Sequence, residues 1–228
     1  MKQDEMRALE IVKTLHGYYP NADCTLNFEH TWQLVIAAIL AAQCTDARVN
    51  IITSELFVNY PDLLSFALAS QEEMEQAIKS CGLYRNKAKA IIACCRILID
   101  KYDGKVPQDM DSLLELPGIG RKIANLILGD SYGIPAVVVD THCARITRLL
   151  GLTSHKEPPK IEQDLMNMLP EQWWISWGHL MVAHGREICK ARQPACERCP
   201  VALLCSYAAG SSGLGANDIS SLNGATEQ

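Results

Sequence analysis

Apolar residues recur with helical spacing along nearly the whole chain, and this pattern restricts what it can fold into more than any other feature. Trp32, Val35, Ile36, Ile39 and Leu40 follow the i, i+3, i+4, i+7, i+8 stripe of a helix buried on one side. Ala88, Ile91, Ile92, Cys95, Leu98, Ile99 and Tyr102 repeat it until Gly104 and Pro107 end the helix. The same reading predicts helices over 5–17, 45–57, 72–81, 110–114, 121–131, 141–150, 159–169 and 171–189, joined by short connections marked by proline or glycine. One segment departs from it. Ala136 to Val139 is largely β-branched and follows Pro135, but no second strand exists to pair with it, so an extended connector is predicted. Asp140 or Thr141 then caps a helix that stops at Gly151. The class predicted is all-α.

A chain of 228 residues makes one or two domains at about 100–200 residues each. With 48% hydrophobic side chains it has ample material for a core, which excludes a wholly disordered chain. No apolar run approaches the roughly 20 residues that span a bilayer. Lys2, Asp4, Glu5, Arg7, Glu10 and Lys13 leave the first residues without the apolar stretch of a signal peptide, so an intracellular, cytoplasmic protein is expected. The last residues, 210–228, are rich in Ser, Gly, Asn and Ala, and a disordered tail is expected there.

Twenty-one basic residues against 26 acidic ones give a net charge of −5, which excludes a basic coat for nucleic acid but not a local basic face. Arg85, Lys87, Lys89, Arg96, Lys101 and Lys105 cluster in one stretch, and Arg121, Lys122, Arg145 and Arg148 in another. Such clusters suit a phosphate-facing surface and equally suit solvated helix faces.

The ten cysteines divide in two groups. Cys24, Cys44, Cys81, Cys94, Cys95 and Cys143 are scattered, most of them within apolar helical patterns, where a thiol acts as a small buried hydrophobe. Cys189, Cys196, Cys199 and Cys205 form C-x6-C-x2-C-x5-C beside Pro194 and Pro200. Four thiolates within 17 residues can wrap one metal centre, and the spacing alone fits zinc or an iron–sulfur cluster.

Leu116-Pro117-Gly118-Ile119-Gly120-Arg121-Lys122 reads as one helix ending, a tight hairpin on two glycines, and a new helix starting at once. The N–H groups of such a turn suit a backbone phosphate held without reading sequence, although an ordinary helix–turn–helix connection has the same pattern. Lys122 falls in the first turn of the second helix beside Arg121, a setting in which lysine serves as an amine nucleophile. Asp140 follows a full helix and a connector, as a carboxylate available for chemistry or as a simple cap.

LPGIGRKIAN at 116–125, VDTH at 139–142, and the four cysteines after His184-Gly185-Arg186 together resemble the endonuclease III family of the helix-hairpin-helix (HhH-GPD) DNA glycosylase superfamily. The similarity runs from about residue 5 to residue 208. It implies two helical domains flanking a DNA-binding cleft: a barrel of residues 24–133 holding the hairpin, and a second domain of 1–23 with 134–209 bearing a 4Fe–4S cluster on Cys189, Cys196, Cys199 and Cys205. It also implies a monomer acting on double-stranded DNA with damaged bases or abasic sites. Lys122 matches the family's Schiff-base lysine and Asp140 its catalytic aspartate. Gln43 in AAQCTD matches the glutamine that fills the gap left by an extruded nucleotide, and Leu83 in CGLYRNKA the residue that wedges into the opposite strand. Gly118, Gly120 and Arg121 complete the expected DNA-binding set.

The implied activity is that of a base-excision repair glycosylase and abasic-site lyase for oxidised pyrimidines. The alternatives are a superfamily glycosylase for mismatched or alkylated bases, and a DNA-binding module without catalysis. Ile123, Cys143 and Cys44 depart from the family pattern, and they bear on which base the pocket takes.

Overall fold

The structure is a computed structural model that describes residues 3–211. Among the described residues it is helical throughout, with twelve α-helices, three short 3-10 helices and no strand. The chain divides into two compact units. One is Cys24–Ile134; the other joins the chain up to Asp23 with the chain from Pro135 onward.

The central unit holds α2 (Thr31–Ala41), α3 (Asp46–Asn59), α4 (Leu63–Leu68), α5 (Gln71–Ala77), α6 (Tyr84–Tyr102), α7 (Met110–Leu114) and α8 (Arg121–Tyr132). Leu34 through Leu40 are all buried, so α2 has almost no solvent face, and α3, α6 and α8 pack around it. α6 is amphipathic and buries Ala88, Ile91, Ile92, Cys94, Cys95 and Leu98. The shorter helices begin on explicit caps. Thr45 caps α3, Asp62 and Ser65 form a capping box on α4, Ser70 and Glu73 another on α5, and Asp109 caps α7.

The split unit contains α1 (Gln3–Tyr18), α9 (Thr141–Leu149), α10 (Pro158–Met168), α11 (Trp174–Glu187) and α12 (Ser206–Ser211). Ile11, Val12 and Leu15 of α1 enter one core with Val137, Ile146, Ile161, Leu165, Trp177 and Met181, although most of the sequence separates them. At about 1.5–3 kcal/mol each, these three side chains alone contribute a gross burial term of roughly 5–9 kcal/mol. The Arg7 guanidinium fastens the same helix by donating to the carbonyls of Leu150 at 2.7 Å, Gly151 at 2.9 Å and Leu204 at 3.1 Å.

The predicted connector 136–139 is extended and unpaired, and Asp140 caps α9 as expected. Several boundaries differ. α4 has no counterpart among the predicted helices, because its sequence is apolar at all but Ser65 and so displays no polar face to set a period. The helix expected over 72–81 stops at Ala77, and the one expected over 171–189 is a 3-10 turn, Glu171–Trp173, followed by α11. Of the expected tail, Gly210 and Ser211 close α12, and the rest lies outside the described residues. No helix among the described residues is long and apolar enough to cross a membrane.

Replacing Arg7 by Gln should lower the free energy of unfolding by roughly 1–3 kcal/mol, because three carbonyls lose a charged donor. Urea denaturation followed by circular dichroism measures this. An unchanged midpoint would show that the clamp contributes nothing.

Candidate functional site

In the central unit the hairpin is set by its two buried ends. Leu116 and Ile119 are buried, the Ile119 amide donates to the Leu116 carbonyl at 3.0 Å, and Gly118, Gly120, Arg121 and Lys122 face outward. Gly118 has a left-handed backbone, φ +84°, and a Cβ there would stand 3.1 Å from the Ala90 side chain and 3.3 Å from Ile39. Both constraints select glycine. Gly120 is the N-cap of α8 with extended backbone and no side chain to cap with. The first-turn amides of α8 therefore point to an outside acceptor, with Arg121 and Lys122 exposed beside them.

Gln43 and Leu83 lie in the same unit, on the turns that follow α2 and precede α6. Both hold left-handed backbones, φ 54° and 58°, which non-glycine residues avoid at a cost of about 1–2 kcal/mol each. Leu83 is 53% exposed, so it is no core leucine. The two turns touch: a Cβ on Gly82 would lie 3.5 Å from the Gln43 carbonyl.

Beneath them is a buried polar cluster. Lys87, only 4% exposed, donates from Nζ to the Leu40 carbonyl at 2.9 Å and to Cys81 Sγ at 3.1 Å, and the Cys81 thiol donates to the same carbonyl at 3.1 Å. The stretch predicted as a basic cluster is therefore not one phosphate-facing face. Lys87 points inward, Arg96 Nε donates to the Ala67 carbonyl at 2.9 Å, and Lys101 pairs with Glu115.

In the split unit the connector runs close against α11, where a Cβ on Gly178 would meet Val138 at 3.2 Å. This delivers Asp140 to the start of α9. Its Oδ1 accepts from the Cys143 amide at 2.7 Å. Cys143 is wholly buried in the core, near Thr147 and Trp177, and burial pushes its thiol up to about 12. Cys24 and Cys44 are half-buried and lie outside the helices, as does the buried Cys81, whereas the buried Cys94 and Cys95 lie within α6.

Cys189, Cys196, Cys199 and Cys205 line one pocket with Ile146, Leu149 and Ile188 among its apolar walls. Burial raises the Cys189 and Cys196 thiols and pushes Cys199 up to about 11, with neighbouring sulfurs adding to each shift. Four thiols so placed ionise together only where cationic charge compensates them. Arg145 supplies part of it, donating to the Cys189 carbonyl at 2.8 Å and reaching its sulfur at 3.7 Å. His184 Nε2 lies 3.6 Å from Cys199 Sγ, while its Nδ1 meets the Tyr19 hydroxyl at 3.2 Å. Burial, then the Arg145 charge, lowers the His184 pKa to about 4, so the ring is neutral at physiological pH.

Residues 36–171 match the model of the HhH-GPD superfamily of base excision DNA repair proteins. The chain belongs to this superfamily. It is 45% identical to endonuclease III of Synechocystis sp. over 209 residues, which covers 91% of this chain and 95% of that protein. Endonuclease III of Escherichia coli K12 is 35% identical over 204 residues, covering 90% of this chain and 97% of that protein. Among solved structures, a trapped endonuclease III–DNA covalent intermediate superposes with a TM-score of 0.87 at 39% identity, covering 93% of this chain and all of that one. A thermostable thymine-DNA glycosylase at 23% identity and TM-score 0.79 shares the fold alone.

Three residues of this HhH-GPD chain carry no signal of their role in the sequence. Arg145 and Lys87 stand in its basic clusters, and no spacing rule ties either to a sulfur. His184 stands out there only as a landmark before the cysteines.

The left-handed turns give a direct test. Leu83→Gly and Gln43→Gly should each leave unfolding free energy unchanged or raise it by up to about 1 kcal/mol, since glycine removes the strain. A loss above about 1 kcal/mol in thermal or urea denaturation would mean that these side chains are structural.

Proposed function

We propose that this chain is a base-excision repair DNA glycosylase with abasic-site lyase activity, which removes oxidised pyrimidines through an imine on Lys122. The observation that carries the reading is the exposed lysine in the first turn of a helix opened by the glycine hairpin, in a chain similar over nine-tenths of its length to a protein trapped covalently on DNA.

The hairpin amides and Arg121 hold a phosphate of the DNA backbone, which positions the duplex without reading it. A base cannot be attacked inside the stack, so the nucleotide is extruded, at a cost of a few kcal/mol that damage reduces. Saturating the 5,6 bond of a pyrimidine abolishes ring planarity and weakens stacking. Gln43 and Leu83, on two touching turns, fill the distorted duplex from within. The Lys122 nitrogen attacks the anomeric carbon, its C–N bond to the sugar forms, and the base leaves with the glycosidic electron pair. Asp140 stabilises the positive charge that develops on the sugar and accepts a proton from the lysine. The proton that Asp140 took passes to O4′ as the C1′–O4′ bond of the ring breaks, which leaves a protonated imine on C1′; the imine acidifies the adjacent C2′, and loss of a proton there expels the 3′ phosphate by β-elimination.

The four cysteines fit an iron–sulfur cluster: the donor set is all thiol, and the pocket they line is apolar-walled. When bound, such a cluster supplies the charge that ionises the thiols and a rigid tie across the cysteine loop. Arg145 steadies that loop through Cys189.

Borohydride reduction of an enzyme–DNA mixture converts the imine into a permanent adduct. Duplexes carrying thymine glycol and an abasic site should both yield it; Lys122→Gln should yield none while still binding abasic DNA. An adduct on the abasic duplex alone would redirect the substrate to another base, and adducts surviving Lys122→Gln would overturn the assignment of the nucleophile. Because phosphate contacts release counterions, raising salt from about 50 to 200 mM should weaken binding by an order of magnitude or more.

The purified protein should contain iron and show broad visible absorption near roughly 400 nm from thiolate charge transfer. Cys199→Ala should lose both and melt earlier. Zinc in place of iron would contradict the cluster.

A further inference from the structure

Two residues either side of Asp140, the chain rests on a glycine of α11. Gly178 and Gly185 are buried and stand seven residues apart on one face of that helix, a rise of about 10 Å. A Cβ on Gly178 would lie 3.2 Å from the Val138 Cβ and 3.3 Å from its carbonyl oxygen. A Cβ on Gly185 would fall on Nδ1 of His142, and 3.1 Å from both the ring Cγ and Cδ1 of Ile146. Two extended steps from Val138 to Asp140 and two helical steps to His142 also advance the chain by about 10 Å. The segment therefore keeps pace with α11, one contact per glycine. Neither glycine has the left-handed backbone of Gly118 or Gly133, and within a helix only proline is less favoured. Close approach is what selects them.

We propose that His142, seated on Gly185, is a positioning residue that fixes the Asp140 carboxylate for the reaction. The consequence for catalysis rests on the function proposed above; the placement of the carboxylate does not. His142 is the second residue of α9, and its Nδ1 is buried. An imidazole turns about two side-chain torsions only, so a seated ring steadies a first turn that would otherwise fray. That turn carries the Cys143 amide, which donates to Asp140 Oδ1 at 2.7 Å. Val138 fixes the chain before the carboxylate and His142 fixes it after. The side chain of Asp140 then has one orientation in which its cap bond is made.

Gly185→Ala puts a methyl where Nδ1 sits and expels the ring; His142→Ala removes the ring and leaves the seat empty. Amide exchange of the purified holoenzyme, followed by NMR, reads the carboxylate directly. In both variants the Cys143 amide should exchange at least tenfold faster, while the amides of α6 keep their wild-type rates. An unchanged Cys143 amide, or acceleration throughout the protein, would overturn the proposal.

Single-turnover excision of thymine glycol, with enzyme in saturating excess, reads the consequence. Each variant should fall roughly a hundredfold in rate, the scale of a misplacement of about 1 Å, with its half-saturating concentration moved less than threefold. The double variant should lose no more than the worse single one, because both break one contact. Losses that multiply would assign the two residues separate structural roles instead. His142→Asn, whose amide reaches the position of Nδ1, should keep at least about a third of the wild-type rate, since it refills the seat; it also carries the comparison with His142→Ala should Gly185→Ala not fold. Equal loss in His142→Asn and His142→Ala would refute the seating. Faster Cys143 exchange in a protein whose wild type never yields a borohydride adduct would leave the positioning standing and remove the glycosylase reading.

Discussion

Ile39 and Leu40 end a helix that has almost no polar face, so the carbonyls of its last turn must find partners outside α2. Lys87 and Cys81 supply them at Leu40, reaching in from α6 and the turn before it. Ile39 limits the approach of Gly118 and thereby sets the distance of the hairpin from the core. Three residues beyond Leu40 the chain enters the left-handed turn of Gln43. The hairpin, the Gln43 turn and the Leu83 turn thus take their positions from one helix end. This explains why a lysine is kept in a nearly dry site. An ammonium donates three hydrogen bonds from one point, and a neutral side chain of similar length would leave the Leu40 carbonyl without a charged donor.

The split unit solves a different problem. Thiols around one pocket gain nothing from hydrophobic burial once they ionise, and burial together with neighbouring sulfurs raises the cost of charging Cys189, Cys196 and Cys199. The surrounding protein offers an arginine at Cys189 and a neutral histidine near Cys199, and apolar walls elsewhere. Arg7 clamps the N-terminal helix to carbonyls just before the cysteine loop ends and just after α9. The first turn of the chain therefore stabilises the segment that closes the loop, which explains how residues so far apart in sequence share a core.

Periodicity makes most helices legible, because an amphipathic stripe of ten or more residues repeats often enough to be recognised. It fails at α4, whose nearly all-apolar sequence shows no stripe, and at residues 78–81, where Ile78 and Cys81 keep the helical spacing although the helix has ended. The extended connector and the cap at Asp140 are readable from β-branching and from the side chain's capacity to accept an amide. Gly118 announces its left-handed turn by being glycine. Gln43 and Leu83 adopt the same conformation without that marker, so only their similarity to the endonuclease III family points to them. Charge is the least reliable guide. Lys87 and Arg96 count as surface charge in the sequence and serve in the structure as donors to backbone carbonyls.

Left-handed backbone at two non-glycine residues on touching turns is a cost that packing around α2 can sustain, and its placement is informative. Random strain would scatter. Of the three non-glycine residues with positive φ among those described, Asp103 closes α6, where such a cap is ordinary, and the other two are the pair assigned to the interior of the duplex. A relaxed turn would let either side chain swing away from the duplex; a strained one, held by the Gly82 contact and by the Leu40 carbonyl beneath it, presents both in one fixed pose. The energy stored there is small against the few kcal/mol that extruding a nucleotide requires. Its value is in order, since a side chain already immobilised loses little entropy when DNA arrives.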